Sequence, residues 1–167
     1  STILYEIDEN NNEIVKTWDA SDYISMIAYD SLSGTWNPPI LSPFYDWLHN
    51  NSIWYEEQEN AVYLSFRQLS RITKLDYETG EIIWDMGLPR EYMPSLGNHI
   101  CTDLGFSFQH DVEVLDNGNL LFFDNGNLSE IVRGTDYPTT RILEIEVVDD
   151  SYCNIAWDYD LPEDLYD

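Results

Sequence analysis

Apolar and polar residues alternate with a period of two along most of this chain, and the alternation breaks wherever Asn, Asp and Gly cluster. The clearest stretch is FSFQHDVEVLDNGNLLFFDNGN, residues 106–127. Val112, Val114 and then Leu120 to Phe123 are strand positions, and Asp116-Asn117-Gly118-Asn119 between them is tight-turn chemistry, so the pattern predicts a β-hairpin. A second Asn-Gly pair, Asn125-Gly126, ends the returning strand. His110 is thereby placed at the entry of one strand, and Asp124 closes its partner near the same end.

Two kinds of hairpin recur. Residues 4–19, 72–86 and 142–160 each read as an alternating strand, a polar turn and a second strand ending in Trp-Asp, which sets Trp18, Trp84 and Trp157 at matching places. Residues 49–67 and 110–127 form the other kind: each starts on a histidine, puts Ile53 or Val114 four positions on, turns at a polar cluster and returns as an apolar strand. Pairing one of each gives a four-stranded antiparallel unit of roughly 40 to 50 residues, the size of a propeller blade. The expectation is an all-β partial β-propeller within 1–167, with the outer hairpin of one blade at 1–19, a second blade at 49–86 and a third at 110–160. About two and a half blades cannot close a ring that typically needs four to eight. The chain therefore reads as a slice of a larger propeller, or as a subunit that completes its ring by association. Long connections at 20–48 and 87–109 join the blades; the first is rich in turn residues and aromatics, among them Trp36, Phe44, Tyr45 and Trp47. No helix is predicted beyond a short turn within 21–30.

Charge narrows the partners. Seven Lys and Arg stand against 32 Asp and Glu, a formal charge of −25. Nucleic acid and an anionic membrane surface both need a positive footprint, so neither is expected. The same acidity repels an anionic substrate at long range, and a site for one must rely on local cations. No run of about 18 apolar residues predicts a membrane span, and Ser1 does not open a signal peptide. Cys101 and Cys153 could form one disulfide, remain two thiols or do nothing in particular; pairing requires their α-carbons to come within about 7 Å. The Asp-Asn-Gly-Asn turns lack the spaced ligand series and terminal glutamate of a calcium loop, so no metal is expected.

Candidate chemistry gathers on three residues. His49 and His110 stand at equivalent points of successive units, so the repeat directs both towards one end of a central channel. Arg67 ends the hairpin that His49 begins and returns to that rim. Arginine presents a planar fork of donors suited to sulfate, phosphate or carboxylate, and neutral imidazole is a competent nucleophile or acid/base group. Asn51 and Gln109 flank the histidines and could orient them or a substrate, while Trp47 and Phe108 could stack on an aryl ring. Against these readings stand ordinary ones: turn-capping amides, core aromatics, and an arginine paired with one of many acids. His99, in a Gly-Asn loop, reads as exposed.

Three blocks carry a resemblance: DWLHNNSI (46–53), LSFRQLSRITKLDYETGEIIWDMG (64–87) and FSFQHDVEVLDNGNLLFFDNGN (106–127). Their His-x-Asn-Ser, Ser-x-Arg and Gln-His followed by Phe-Asp-Asn-Gly signatures resemble, in order, the bacterial arylsulfate sulfotransferase family, which moves sulfate between phenols without a nucleotide sulfate donor. The resemblance implies a six-bladed ring, often periplasmic or extracellular and dimeric, working without a cofactor through a sulfohistidine. It implies His110 as the nucleophile, with His49 and Arg67 holding the sulfuryl oxygens, and aryl sulfate and phenol as partners. Two features of the family pattern are missing: a further histidine from an earlier blade has no counterpart in 1–48, and Cys101 lacks the nearby partner of a small disulfide loop. The competing expectation is a non-catalytic propeller module for adhesion or assembly, and activity of this chain would require the ring to be completed by further blades or a second copy.

Overall fold

The alternating segments form strands in three successive sheets. The computed structural model describes residues 2–24, 46–92 and 97–162. Strands β1 (Ile3–Asp8) and β2 (Glu13–Asp19) make a hairpin. The second sheet runs in chain order through β3 (Asn50–Glu56), β4 (Ala61–Phe66), β5 (Arg71–Asp76), β6 (Ile82–Gly87) and β7 (His99–Ile100). The third holds β8 (His110–Val114), β9 (Leu120–Asp124), β10 (Arg141–Val148) and β11 (Tyr152–Asp160). Every pairing is antiparallel except β6 with β7.

Several local expectations need correction. The 49–86 unit gains a fifth strand, because the chain after β6 returns to pair Asp85 with His99 and Met86 with Ile100 in parallel. His99 is therefore a strand residue, half-buried rather than exposed. Short helical turns occur at Ala20–Asp22, Arg67–Leu69 and Ser129–Val132. Most of the aromatic connection at 20–48, including Trp36, Phe44 and Tyr45, lies outside the described residues.

The second sheet is the middle layer. β4 is buried along its whole length, which is why Ala61-Val62-Tyr63-Leu64-Ser65-Phe66 reads as a nearly continuous apolar run instead of an alternating one. Val62, Leu64 and Phe66 pack in one core with Leu75, Leu88 and Leu4 of the first hairpin. On the other face, Tyr63, Ile72, Trp84 and Met86 pack against Val112, Leu120, Phe122, Leu143 and Ile145 of the third sheet. Full burial of one such side chain is worth about 1.5–3 kcal/mol.

The turns of later hairpins clasp the tryptophans of earlier ones. The β10–β11 turn reaches back so that Asp150 accepts from Trp84 Nε1 (2.6 Å) and from Lys74 Nζ (3.3 Å). The β5–β6 turn covers Trp18 in the same way, with Tyr77 5.8 Å from its ring and Gly80 against it. Trp157, the third member, stacks on Tyr159 and is 47% exposed, because no further hairpin covers it among the described residues. Cys101 and Cys153 form a disulfide with α-carbons 5.4 Å apart, stitching the chain after β7 to β11. Closing a loop of that length constrains the unfolded chain by about 4 kcal/mol in the chain-entropy account.

One glycine is dictated by contact. Gly126 has φ +67, and a Cβ there would sit 1.9 Å from the Thr139 carbonyl oxygen, whereas Gly118 at φ +84 has nothing within 4 Å. Gly126→Ala should therefore lower the thermal midpoint much more than Gly118→Ala, whose cost is the left-handed backbone alone, about 1 kcal/mol. Differential scanning calorimetry of the two variants checks this; equal shifts would mean that the 126–139 approach relaxes freely.

Candidate active site

β3 and β8 come from different sheets yet run alongside each other in the same direction. Asn51 Nδ2 donates to the Gln109 carbonyl (2.7 Å), and the Val112 N–H donates to Ser52 Oγ (3.0 Å). Since His49 precedes β3 and His110 opens β8, both histidines stand at the same end of the paired sheets. Arg67 follows β4 at that end, its N–H donating to the His49 carbonyl (3.0 Å). Its guanidinium lies over the Phe108 ring, 4.6 Å from the centroid. The sequence-predicted trio is thus brought to one rim.

Each member is held differently. His49 is exposed and its Nδ1 pairs with Asp46, whose other oxygen accepts the His49 N–H (3.1 Å). Burial lowers the Arg67 pKa from its ordinary value, and the Asp46 carboxylate opposes that shift. His110 is half-buried, with Nδ1 3.0 Å from the Phe108 carbonyl and 2.9 Å from Asn125 Oδ1. Neither Asp111 nor Asp124 is its partner in these contacts.

The loop before His110 is fixed from several sides. Asp124, fully buried, accepts from the N–H groups of Ser107 and Gly126 (both 2.9 Å) and from Arg141 Nε (2.9 Å). Burial pushes its carboxyl pKa up, while the Ser107 N–H and the guanidinium of Arg141 pull it down. The Phe108 N–H donates to Ser70 Oγ (3.2 Å). Gln109 Nε2 reaches back into the second sheet, to Ser65 Oγ (2.9 Å) and the Arg71 carbonyl (2.8 Å). Asn51 Oδ1 and Gln109 Oε1 remain buried without a hydrogen-bond partner. Phe108 is buried beneath Arg67, and Trp47 is half-buried against the core shared with the first hairpin.

Left-handed backbone occurs at this rim as well as in the hairpin turns. His49 (φ 49), Ser70 (φ 46), Phe108 (φ 54) and Asp111 (φ 59) are all left-handed without being glycine. Such residues cost about 1–3 kcal/mol each and persist where their surroundings over-determine them, which is common at functional sites. Sequence reading missed Asn125, taken only as a turn residue, and the Asp124–Arg141 pair. Only the Phe-Asp-Asn-Gly block hinted at them. Among the described residues no cluster of three or more His, Cys, Asp or Glu could hold a metal ion.

The class these features define is an all-β protein presenting two imidazoles and a guanidinium at the rim between two sheets, chemistry suited to an oxyanion. The family model for arylsulfotransferases (ASST) matches residues 2–147, and the chain belongs to that family. Comparison with curated proteins finds no match. Among the described residues no helix is long and apolar enough to cross a membrane.

His99 stands apart from the trio. Both ring nitrogens are buried without a partner. Burial pushes its pKa down from 6.5 to about 4; Arg71 and Arg90 add to the shift and Asp85 opposes it. The unfolded chain takes up this proton near pH 6.5 and the folded chain refuses it until about 4, so the histidine erodes stability as pH falls through that window. Urea midpoints should therefore fall less steeply for His99→Leu than for the parent chain between pH 6.5 and 4. Parallel curves would show that the imidazole titrates alike in both states.

Proposed function

We propose that this chain transfers a sulfuryl group from an aryl sulfate to a phenolic acceptor in two steps through a sulfohistidine on His110. The placement of His49, Arg67 and His110 at one rim carries the reading. A ring nitrogen attacks sulfur, the S–O(aryl) bond breaks and the aryloxide leaves; the acceptor phenol then attacks the same sulfur and restores the imidazole. Arg67 and the His49 imidazole bind the sulfuryl oxygens, where fixed donors stabilise charge that grows in the transition state. Asn51 and Gln109 set the backbone of the substrate-binding rim, Gln109 from within the buried interface. Trp47, half-buried, supplies apolar wall for the aryl ring, and Phe108 seats Arg67 from beneath.

The same reading takes the sheets as blades, 1–19, 49–86 and 110–160, of a propeller. The channel is completed by further blades or a second copy. Exposed Trp157 and Tyr159 on β11, and Ile3, Tyr5 and Ile7 on β1, support this, since the equivalent Trp18 and Trp84 are covered by a following hairpin. A periplasmic or extracellular location agrees with the Cys101–Cys153 disulfide, a bond that persists in oxidising compartments.

Incubation of the disulfide-intact protein with a chromogenic aryl sulfate should add the mass of one sulfuryl group, on His110 by peptide mapping. His110→Ala should abolish the adduct, and Arg67→Ala should slow aryl alcohol release about 10²–10³-fold. No adduct from the folded, fully assembled protein would discard the enzymatic reading and leave a non-catalytic propeller module.

A further inference from the structure

Which nitrogen of His110 carries its proton decides which one can act, and that choice is made by groups outside the trio. Nδ1 faces two oxygens, the Phe108 carbonyl at 3.0 Å and Asn125 Oδ1 at 2.9 Å. A carbonyl oxygen only accepts, so the contact with Phe108 requires a proton on Nδ1. That also orients the Asn125 amide, since its NH₂ turned towards the ring would meet that same proton. The neutral ring then carries its lone pair on Nε2.

We propose that Asn125 is the positioning residue of this site: together with the Phe108 carbonyl it holds His110 in the Nδ1–H tautomer and so directs the sulfuryl group to Nε2. The assignment of Nε2 as the transfer atom rests on the function proposed above; the tautomer assignment does not. Asn125 is suited to the task by its backbone. Thr140 Oγ1 donates to its carbonyl (2.9 Å), and the next N–H, that of Gly126, donates to Asp124 Oδ1 (2.9 Å) and the Ser107 carbonyl (3.1 Å). The Phe108 carbonyl is equally fixed, by the left-handed φ of 54 and the Ser70 contact on the same residue's N–H.

The balance of the step explains why a neutral amide stands here. When Nε2 attacks, an N–S bond forms, the S–O(aryl) bond breaks and its electron pair leaves with the aryloxide. Nδ1 keeps its proton, so the sulfated ring bears a positive charge that the two oxygens stabilise. The phenolic acceptor then attacks sulfur, gives its proton to solvent, and the N–S electron pair returns to Nε2. A carboxylate in place of the amide would stabilise the imidazolium before any substrate arrives and occupy Nε2 with a proton. Charged groups on the elements packed beside His110 are Asp111 on its own strand, Asp124 on β9, paired with Arg141 and Arg133, and Arg67 over Phe108, with His49 and Asp46 just before β3.

Nitrogen NMR of ¹⁵N-histidine-labelled protein reads the tautomer directly. The chain has three histidines, and His110→Gln identifies the relevant signals. In the parent protein Nδ1 of His110 should show the protonated-type shift and Nε2 the lone-pair-type shift. Asn125→Ala leaves the Phe108 carbonyl to hold Nδ1–H but removes one of its two acceptors, so it should move the Nδ1 shift, loosen the ring and lower the adduct-forming rate. Asn125→Asp, the same shape with a charge, should keep the Nδ1–H tautomer but raise the His110 pKa by one to three units, carrying the acid limb of the rate profile upwards. An Nε2–H tautomer in the parent, or ring shifts and a pKa that neither variant alters, would overturn the assignment. A variant too unstable to measure leaves the isosteric Asn125→Asp titration as the deciding test. A protein with the expected tautomer and response but no sulfuryl adduct would instead overturn the proposed function and leave Asn125's role intact.

Discussion

One buried amide governs the geometry of the rim. Gln109 belongs to the chain entering β8, yet its side-chain nitrogen bonds to Ser65 and to the Arg71 carbonyl in the neighbouring sheet, and its own carbonyl accepts from Asn51 of β3. Apolar packing between the two sheets is strong but non-directional, and alone it would tolerate sliding of one sheet over the other. Buried polar groups instead demand partners at defined distances and angles. The Gln109 network thereby sets the register of β3 against β8, and with it the separation of the residues that precede them. Its energetic weight comes less from the bonds made than from the penalty for leaving them unmade in a dry interior.

Electrostatics add a second constraint. At −25 with seven cationic side chains, almost any cation is near an acid, and most are used internally. Arg141 is spent on Asp124, Lys74 on Glu59 and Asp150, and Lys16 on the Tyr77 carbonyl and Glu78. These pairs hold loops and turns to the sheets. Arg67 lies over an aromatic face at the end of a strand, with the Asp46 carboxylate nearby, and stacking on Phe108 seats its guanidinium. An anion repelled at long range by the whole protein would meet local positive charge at such a site. The arrangement favours selection at the rim over attraction from a distance.

The outer hairpins explain how separate sheets become one body. Trp18 and Trp84 each offer a broad apolar face that the next hairpin's turn covers. Trp84 shows the full pattern, with its N–H on Asp150, and the disulfide lies beside the same seam. The Asp150 clasp and the Gln109 network lie at different places on the seam between the second and third sheets, so that interface is held by both. The strained residues of the rim are tolerable because this frame leaves them no easier conformation.

Strand positions and hairpin turns were legible in the sequence, because period-two alternation and Asn-Gly turns are local physics. The Trp-Asp repeat was legible too, as was the family, through blocks that fall on β3, the β4–β6 stretch and the β8–β9 hairpin. Local pattern could not show that His99 joins a short parallel strand, that Trp157 is uncovered while Trp84 is buried, or that Cys101 meets Cys153. Each depends on which sheet lies against which, across separations that no turn signal spans. The same holds for Asn125: in the sequence it is one half of a turn, and only the folding of β9 against β8 carries its side chain to the ring of His110. Residue types and their spacing determined what chemistry the chain could hold; the crossing of hydrogen bonds between sheets decided which atoms meet.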